Sequence, residues 1–273
     1  MMSGHDPSLS NRVVLITGGS RGLGREMALA LAEAGAKICI TGASKSVALY
    51  STTNDLRMLS GNENVCAVVA DVANDDDVQN TVSACLDQFG QIDVLINNAG
   101  RGMRLVSETF NTVPTKFWQC EPEDWCRIVD INANGPFLMA RAVVPHMLEQ
   151  KFGKIVNIST SDQTMVRTGY SPYGPSKALL EAASRVWAQD LAGTGVDVNV
   201  LLPGGAADTD LLPPSPDKKG ADGNLLSPAV MREPILWLAS DQSNGRTGER
   251  YIGRLWDSPD AARDAPIEKP RIM

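Results

Sequence analysis

Short, almost wholly apolar runs alternate along this chain with longer segments of helical period, and that alternation restricts its fold more than any other feature. Val13-Val14-Leu15-Ile16 is too short and too β-branched for a helix and reads as a buried strand. Leu23, Met27, Leu31 and Ala34 then recur at helical spacing until Gly35 stops the helix. The cycle repeats, with strands at Ile38-Cys39-Ile40 and over 65–70, a helical stripe of Val78, Val82, Cys85, Leu86 and Phe89, and a strand over 92–96. Further on, Ile155-Val156-Asn157-Ile158 and residues 196–202 read as strands separated by a helix over 172–191. Strands that lack polar alternation must be covered on both faces, and the intervening helices supply the cover. The predicted architecture is therefore an α/β doubly wound parallel sheet in a single domain. With 273 residues, 43% of them apolar, the chain can bury a core of that size. Residues 1–11 read as a flexible N-terminal tail, 12–257 as the domain and 258–273 as a C-terminal tail.

Charge and residue usage exclude several classes of function. The apolar content is too high for a disordered chain. A net charge of −7 argues against nucleic acid or an anionic membrane as a main partner. No run approaches the length of a membrane span, and no charged-then-apolar leader opens the sequence. The five cysteines, Cys39, Cys66, Cys85, Cys120 and Cys126, are odd in number and without C-x-x-C spacing, so reduced thiols in a cytoplasmic setting are expected. Only His5 and His146 are available as imidazoles, which leaves no histidine-based metal centre and no Ser-His-Asp triad; no metal is expected.

Thr17-Gly18-Gly19-Ser20-Arg21-Gly22-Leu23-Gly24 lies between the first strand and the first helix. Gly18 permits a tight turn, Gly22 lets the backbone approach a pyrophosphate, and Gly24 allows helix and strand to pack closely. The helix N-terminus beyond offers free N–H groups to phosphates. The second strand ends in Thr41-Gly42-Ala43-Ser44-Lys45, with no carboxylate to meet the adenosine ribose 2′-hydroxyl of NAD. Arg21 and Lys45 could instead face a 2′-phosphate, so NADP(H) is expected over NAD(H). Tyr173 and Lys177 stand four residues apart and share a helix face. A lysine cation there is expected to lower the phenol pKa and fit the tyrosine for proton transfer to or from an alcohol oxygen.

In this order and spacing, Thr17-Gly18-x-x-x-Gly22-x-Gly24, Asn97-Asn98-Ala99-Gly100, Tyr173-x-x-x-Lys177 and Pro203-Gly204 resemble the short-chain dehydrogenase/reductase family over residues 12 to about 250. The resemblance implies a seven-stranded Rossmann sheet and assembly as a homotetramer or homodimer. It implies hydride transfer between a nicotinamide and a small-molecule carbonyl or secondary alcohol. The implied catalytic set is Asn132, Thr160, Tyr173 and Lys177. The implied cofactor contacts are Gly18, Ser20, Arg21, Gly22, Leu23, Gly24, Ser44, Asp71, Val72, Asn98, Ala99, Gly100, Tyr173, Lys177, Pro203 and Gly204. Asp71 matches the residue that meets the adenine ring, and Asn132 the asparagine whose backbone holds a water linked to the lysine. One position departs from the family pattern: its serine, thirteen residues before the tyrosine, is Thr160 here, flanked by Ser159 and Ser161. Thr160 preserves the register; Ser161 is the alternative after a small backbone shift. The usual ending of the last strand is also replaced, by Tyr251-Ile252-Gly253-Arg254.

Two loops, near 101–122 and 203–228, follow strand ends, where open α/β sheets bind ligands. Their apolar side chains predict a fairly apolar ketone as substrate, contacted by some of Ser161, Met103, Phe117, Trp118, Met165 and Leu211. The leading reading is an NADPH-dependent ketone reductase. Two others stand beside it: a non-redox cyclase, dehydratase or isomerase on the same fold, and a non-catalytic NADPH-binding sensor.

Overall fold

A computed structural model describes residues 9–216, 218–220 and 223–264. In chain order the elements are β1 (Val13–Ile16), α1 (Gly22–Glu33), β2 (Lys37–Gly42), α2 (Val47–Ser60), β3 (Val65–Val69), α3 (Asp75–Phe89), β4 (Val94–Asn97), α4 (Pro122–Val129), α5 (Gly135–Gln150), β5 (Gly153–Ile158), α6 (Asp162–Met165), α7 (Tyr173–Asp190), β6 (Val196–Leu202), α8 (Arg232–Ala239), β7 (Arg250–Ile252) and α9 (Pro259–Ala262). The seven strands form one sheet in the order β3-β2-β1-β4-β5-β6-β7, every pair parallel. This is the doubly wound parallel arrangement that the apolar alternation predicts, with the seven-stranded Rossmann sheet that the family resemblance implies.

Strand alternation divides the core between the two faces. Val14, Ile16, Ile38, Ile40, Val94 and Ile96 point to one side, where Met27 and Leu31 of α1, Leu56 of α2 and Ile235 of α8 cover them. Val13, Leu15, Cys39, Leu95 and Ile155 point to the other, under Val82 of α3 and Met139 and Val143 of α5. The order in which strands are added reverses between β1 and β4, with successive strands going outward to either side. The crevice outside the carboxyl ends of the strands at that switch point is where such sheets take ligands.

Both tails are shorter than the sequence suggests. Leu9 is 1% exposed, and its N–H donates to the carbonyl of Ala34 at 2.9 Å, so residues 9–11 belong to the domain. At the other end α9 buries Ala262, and Arg263 bridges antiparallel to Tyr251, which extends the domain to residue 264. A lone apolar residue among polar neighbours has no periodicity to reveal its burial. The remaining tail residues, His5 among them, lie outside the described residues. Cys39, Cys66 and Cys85 are buried, Cys120 is half-buried and Cys126 exposed, all as free thiols. Among the described residues no helix is long and apolar enough to cross a membrane, and no group of side chains could hold a metal ion.

Candidate active site

The carboxyl ends of β1, β4, β5 and β6 open into a cleft of about 1340 Å³. Its β1 side presents mostly backbone, fixed in place by a few polar side chains. Gly18 has φ +64, and a Cβ there would stand 2.9 Å from Ala99 Cα. The Thr17 hydroxyl accepts the N–H groups of Asn98 and Ala99, each at 3.0 Å. Asn98 Nδ2 donates back to the carbonyls of Thr17 and Gly18, each at 2.9 Å. A Cβ on Gly24 would lie 2.4 Å from both Asn98 Nδ2 and the Gly18 carbonyl oxygen, so only glycine allows this crossing. Thr41 accepts the Gly18 N–H on its hydroxyl at 3.2 Å, and Thr52 donates to the Ser20 carbonyl at 2.8 Å. The first turn of α1 carries no acidic residue and has no side-chain cap, so its N–H groups face the cleft free for an anion. The donor set fits a dinucleotide pyrophosphate.

Around the rest of that half, Ser20, Arg21, Gly22, Leu23, Asp71, Val72 and Gly100 line the cleft. The Arg21 guanidinium is exposed and pairs with Asp210 at 3.0 Å. Ser44 and Lys45 are exposed beyond the cleft wall, and Lys45 borders a separate shallow groove with Tyr50 and Val69. Asp71 pairs with Arg127 at 2.7 Å. Partial burial pulls its carboxyl upward, but Arg127 and the Ala73 N–H outweigh it and hold Asp71 below the usual carboxylate range. Pro203 and Gly204 line the far side; Gly204 has φ +89, and a Cβ there would strike Ile252 at 2.5 Å.

Thr160, Tyr173 and Lys177 line the floor, while Asn132 is buried and does not line the cleft. Tyr173 opens α7 and is buried, with Lys177 one turn further on. The Lys177 ammonium donates to the Ile158 carbonyl at 2.7 Å. Asn132 lies, fully buried, in a widened π-helical turn (Asp130–Asn134) between α4 and α5. Its Nδ2 donates to the Arg101 carbonyl at 2.9 Å and the Ser176 hydroxyl at 3.0 Å, and its Oδ1 accepts the Arg101 N–H at 2.8 Å. A buried amide with these partners cannot rotate. Burial pushes the Tyr173 phenol up to about 12, with the Thr160 hydroxyl beside it pulling the other way. Burial also lowers the Lys177 ammonium to about 8, opposed by the charge of Glu181. This corrects the expectation of a phenol lowered by Lys177: the ammonium is engaged with Ile158, and desolvation governs the tyrosine.

Ser161 lines the cleft, but its hydroxyl accepts the Thr164 N–H at 3.3 Å and caps α6. Met103 and Leu211 also line it: Met103 packs against Phe110 and Tyr173, and Leu211 lies over Gly102. Phe117, Trp118 and Met165 do not. Phe117 and Trp118 sit on a one-turn helix, 67% and 69% exposed, ring against ring at 5.2 Å. Met165 packs its backbone against Gly174. After β6, Asp210 reaches across the opening, pairing with Arg21 and offering its carbonyl to Arg104 at 2.8 Å. Arg127, Ser176 and Arg250 are site residues that sequence reasoning missed. Only Ser176 left a signal, lying between Tyr173 and Lys177.

The family described as short chain dehydrogenase matches residues 12–220. A 3-oxoacyl-[acyl-carrier-protein] reductase from Thermotoga maritima is 32% identical over 250 residues, covering 88% of this chain and 95% of that protein. One from Synechocystis is 38% identical over 197 residues, 72% of this chain and 75% of the relative. A (2S)-[(R)-hydroxy(phenyl)methyl]succinyl-CoA dehydrogenase subunit from Thauera aromatica is 32% identical over 252 residues, 88% and 94%. Among solved structures, a 3-ketoacyl-(acyl-carrier-protein) reductase from Brucella melitensis, complexed with NADH, superposes with a TM-score of 0.76 at 30% identity, over 89% of this chain and 96% of that one. The chain belongs to the short-chain dehydrogenase/reductase family and is an oxidoreductase of that class.

Proposed function

We propose that the protein is an NADPH-dependent reductase of a fairly apolar ketone, with Asn132, Thr160, Tyr173 and Lys177 as its catalytic residues. The observation that carries this reading is a buried Tyr173 phenol beside the Thr160 hydroxyl in a cleft whose glycine-rich wall fits a dinucleotide, burial pushing the phenol up to about 12. A reduced nicotinamide, when bound, supplies a hydride to the carbonyl carbon. Thr160 orients and polarises the carbonyl oxygen, and Tyr173 gives that oxygen its proton. Lys177 fixes the end of β5 through Ile158 and would supply positive charge one helical turn from Tyr173. Met103 and Leu211 support an apolar substrate, as do relatives named for acyl-carrier substrates.

The absence of a carboxylate at the end of β2 and the presence of Arg21 at the rim support NADPH over NADH. Exposed Phe137 on α5 and Leu179 and Val186 on α7 support assembly into a homodimer or homotetramer. Five free thiols suit the cytoplasm. Titration with NADPH and NADH, followed by nicotinamide fluorescence excited through the tryptophans, tests the cofactor assignment. Tight NADPH binding that weakens at least about tenfold for NADH is expected; equal affinity overturns the preference. Turnover of acetoacetyl-coenzyme A and bulkier ketones but not of polar sugars is the expected substrate pattern. Equal turnover of all three overturns it.

A further inference from the structure

Arg250 opens β7 and directs its guanidinium at the β5–α6 turn that carries Thr160. Its Nη2 donates to the carbonyl oxygen of Thr160 at 2.9 Å and to Asp162 Oδ1 at 2.7 Å. Its Nε lies 3.1 and 3.0 Å from the two carboxylate oxygens of Glu181, on α7 one turn beyond Lys177. Its Nη1 donates to Asp264, whose backbone N–H returns to the Arg250 carbonyl at 2.8 Å. One side chain, only 16% exposed, thus joins β7, the turn before α6, the catalytic helix and the C-terminal segment.

The consequence falls on Thr160. Lys177 holds the carbonyl at Ile158, and Arg250 holds the carbonyl two residues later. The backbone that presents the Thr160 hydroxyl is therefore pinned on both sides of Ser159. A guanidinium can do this because its planar fork sends donors in several fixed directions at once, which an ammonium cannot. Removing it would leave Asp162, Glu181 and Asp264 facing one another with no cation between them. Arg246 offers the contrast. It pairs with Glu249 and Asp260, each at 3.0 Å, and its guanidinium lies over the Trp237 ring of α8, 5.7 Å from the centroid, away from the turn that carries Thr160.

We propose that Arg250 is a positioning residue of the active site, holding Thr160 by its backbone and, through Asp264, making the C-terminal segment part of the support of the reaction centre. The proposal rests on the reading of Thr160 as the hydroxyl that orients the substrate.

Arg250→Lys and Asp264→Asn in the full chain test it, with Arg246→Gln as a control for general destabilisation. Two readouts are taken: steady-state reduction of acetoacetyl-coenzyme A with NADPH, and amide hydrogen exchange over residues 158–166, where the N–H groups of Ser159, Thr164 and Met165 are bonded. Arg250→Lys is expected to lower kcat by about 10- to 100-fold, the scale of a small misplacement of a catalytic group. The KM for NADPH should stay within about twofold, since the nucleotide wall is untouched. Exchange over 158–166 should quicken. Asp264→Asn should do the same more weakly, and Arg246→Gln should lower Tm alone. Wild-type kcat and unaltered exchange in Arg250→Lys overturn the proposal, as does an equal kcat loss in Arg246→Gln. If the wild-type protein reduces no ketone, the redox reading fails and exchange alone decides: quickening confined to 158–166 sustains the positioning role, and unchanged protection overturns it.

Discussion

On the β1 side of the cleft the surface is backbone held by side chains, with Thr17, Asn98 and Thr41 spending their polar groups on main-chain atoms of the glycine-rich turn and the strand end beside it. On the β5–β6 side the surface is side chain held by side chain: Tyr173 against Thr160, Arg250 against Glu181 and Asp162, Asp210 against Arg21. The first wall tolerates few added atoms, because Gly18 and Gly24 face neighbouring backbone or a fixed amide and Gly19 faces the buried Ile40 side chain. The second tolerates exchange but depends on charge and protonation. Binding thus rests on sterics and reaction chemistry on electrostatics, and substitutions in the two walls should fail in different ways.

The sharpest break between them is Tyr173→Phe, which removes the proposed proton donor and leaves the nucleotide wall intact. Ketone reduction should fall by about 1000-fold, within the range of a lost general acid, while NADPH affinity stays within about threefold. Activity retained in this variant would transfer the chemistry elsewhere. Gly24→Val attacks the opposite wall. Its Cβ would enter space held by Asn98 Nδ2 and the Gly18 carbonyl at 2.4 Å, and backbone cannot yield as a flexible side chain can. A cost of about 1–3 kcal/mol is expected, read as a roughly 10- to 100-fold weaker NADPH Kd or an equivalent loss of stability. Wild-type binding and Tm would show that the turn has slack. Arg21→Ala straddles the walls, since it removes both the cation proposed to meet a 2′-phosphate and the partner of Asp210. The surface ion pair is worth little, so stability should change by less than about 0.5 kcal/mol. NADPH binding should weaken by about five- to tenfold with NADH unchanged. Parallel losses for both nucleotides would locate the effect in the loop over the cleft.

Legibility in the sequence follows the same division. Gly18, Gly22 and Gly24 mark a backbone constraint local to eight residues, and the conformation found there is the one their spacing implies. The sheet was legible for a related reason, since strands buried on both faces leave uninterrupted apolar runs. Tyr173 and Lys177 could be paired because a helix brings neighbours four apart together. Arg250 could not be read, because its partners at 160, 162, 181 and 264 meet only in the folded chain. Loop apolarity was a poor guide for the same reason. Met103 and Leu211 reached the cleft while Phe117 and Trp118 turned to solvent, and composition says nothing of direction.

The smallest effect expected at neutral pH sharpens the electrostatic half of the contrast. Burial lowers the Lys177 ammonium to about 8, and the nearby charge of Glu181 opposes that fall. Tyr173 keeps its proton to about 12, so the acid needed for reduction survives well into the alkaline range. The descending limb of kcat against pH should therefore come from Lys177, with reduction declining as pH rises through about 8 and the ammonium becomes neutral. In Glu181→Gln the opposing charge is gone, desolvation acts alone, and Lys177 should lose its proton at a lower pH; the limb moves toward acid. The height of the profile also drops, because Arg250 loses a partner, but the position of the limb is independent of that loss. Profiles measured for both proteins between pH 6 and 10 decide the matter. An unmoved limb, or one displaced toward alkali, would remove Lys177 as the titrating group and leave the β5–β6 wall to work through geometry alone.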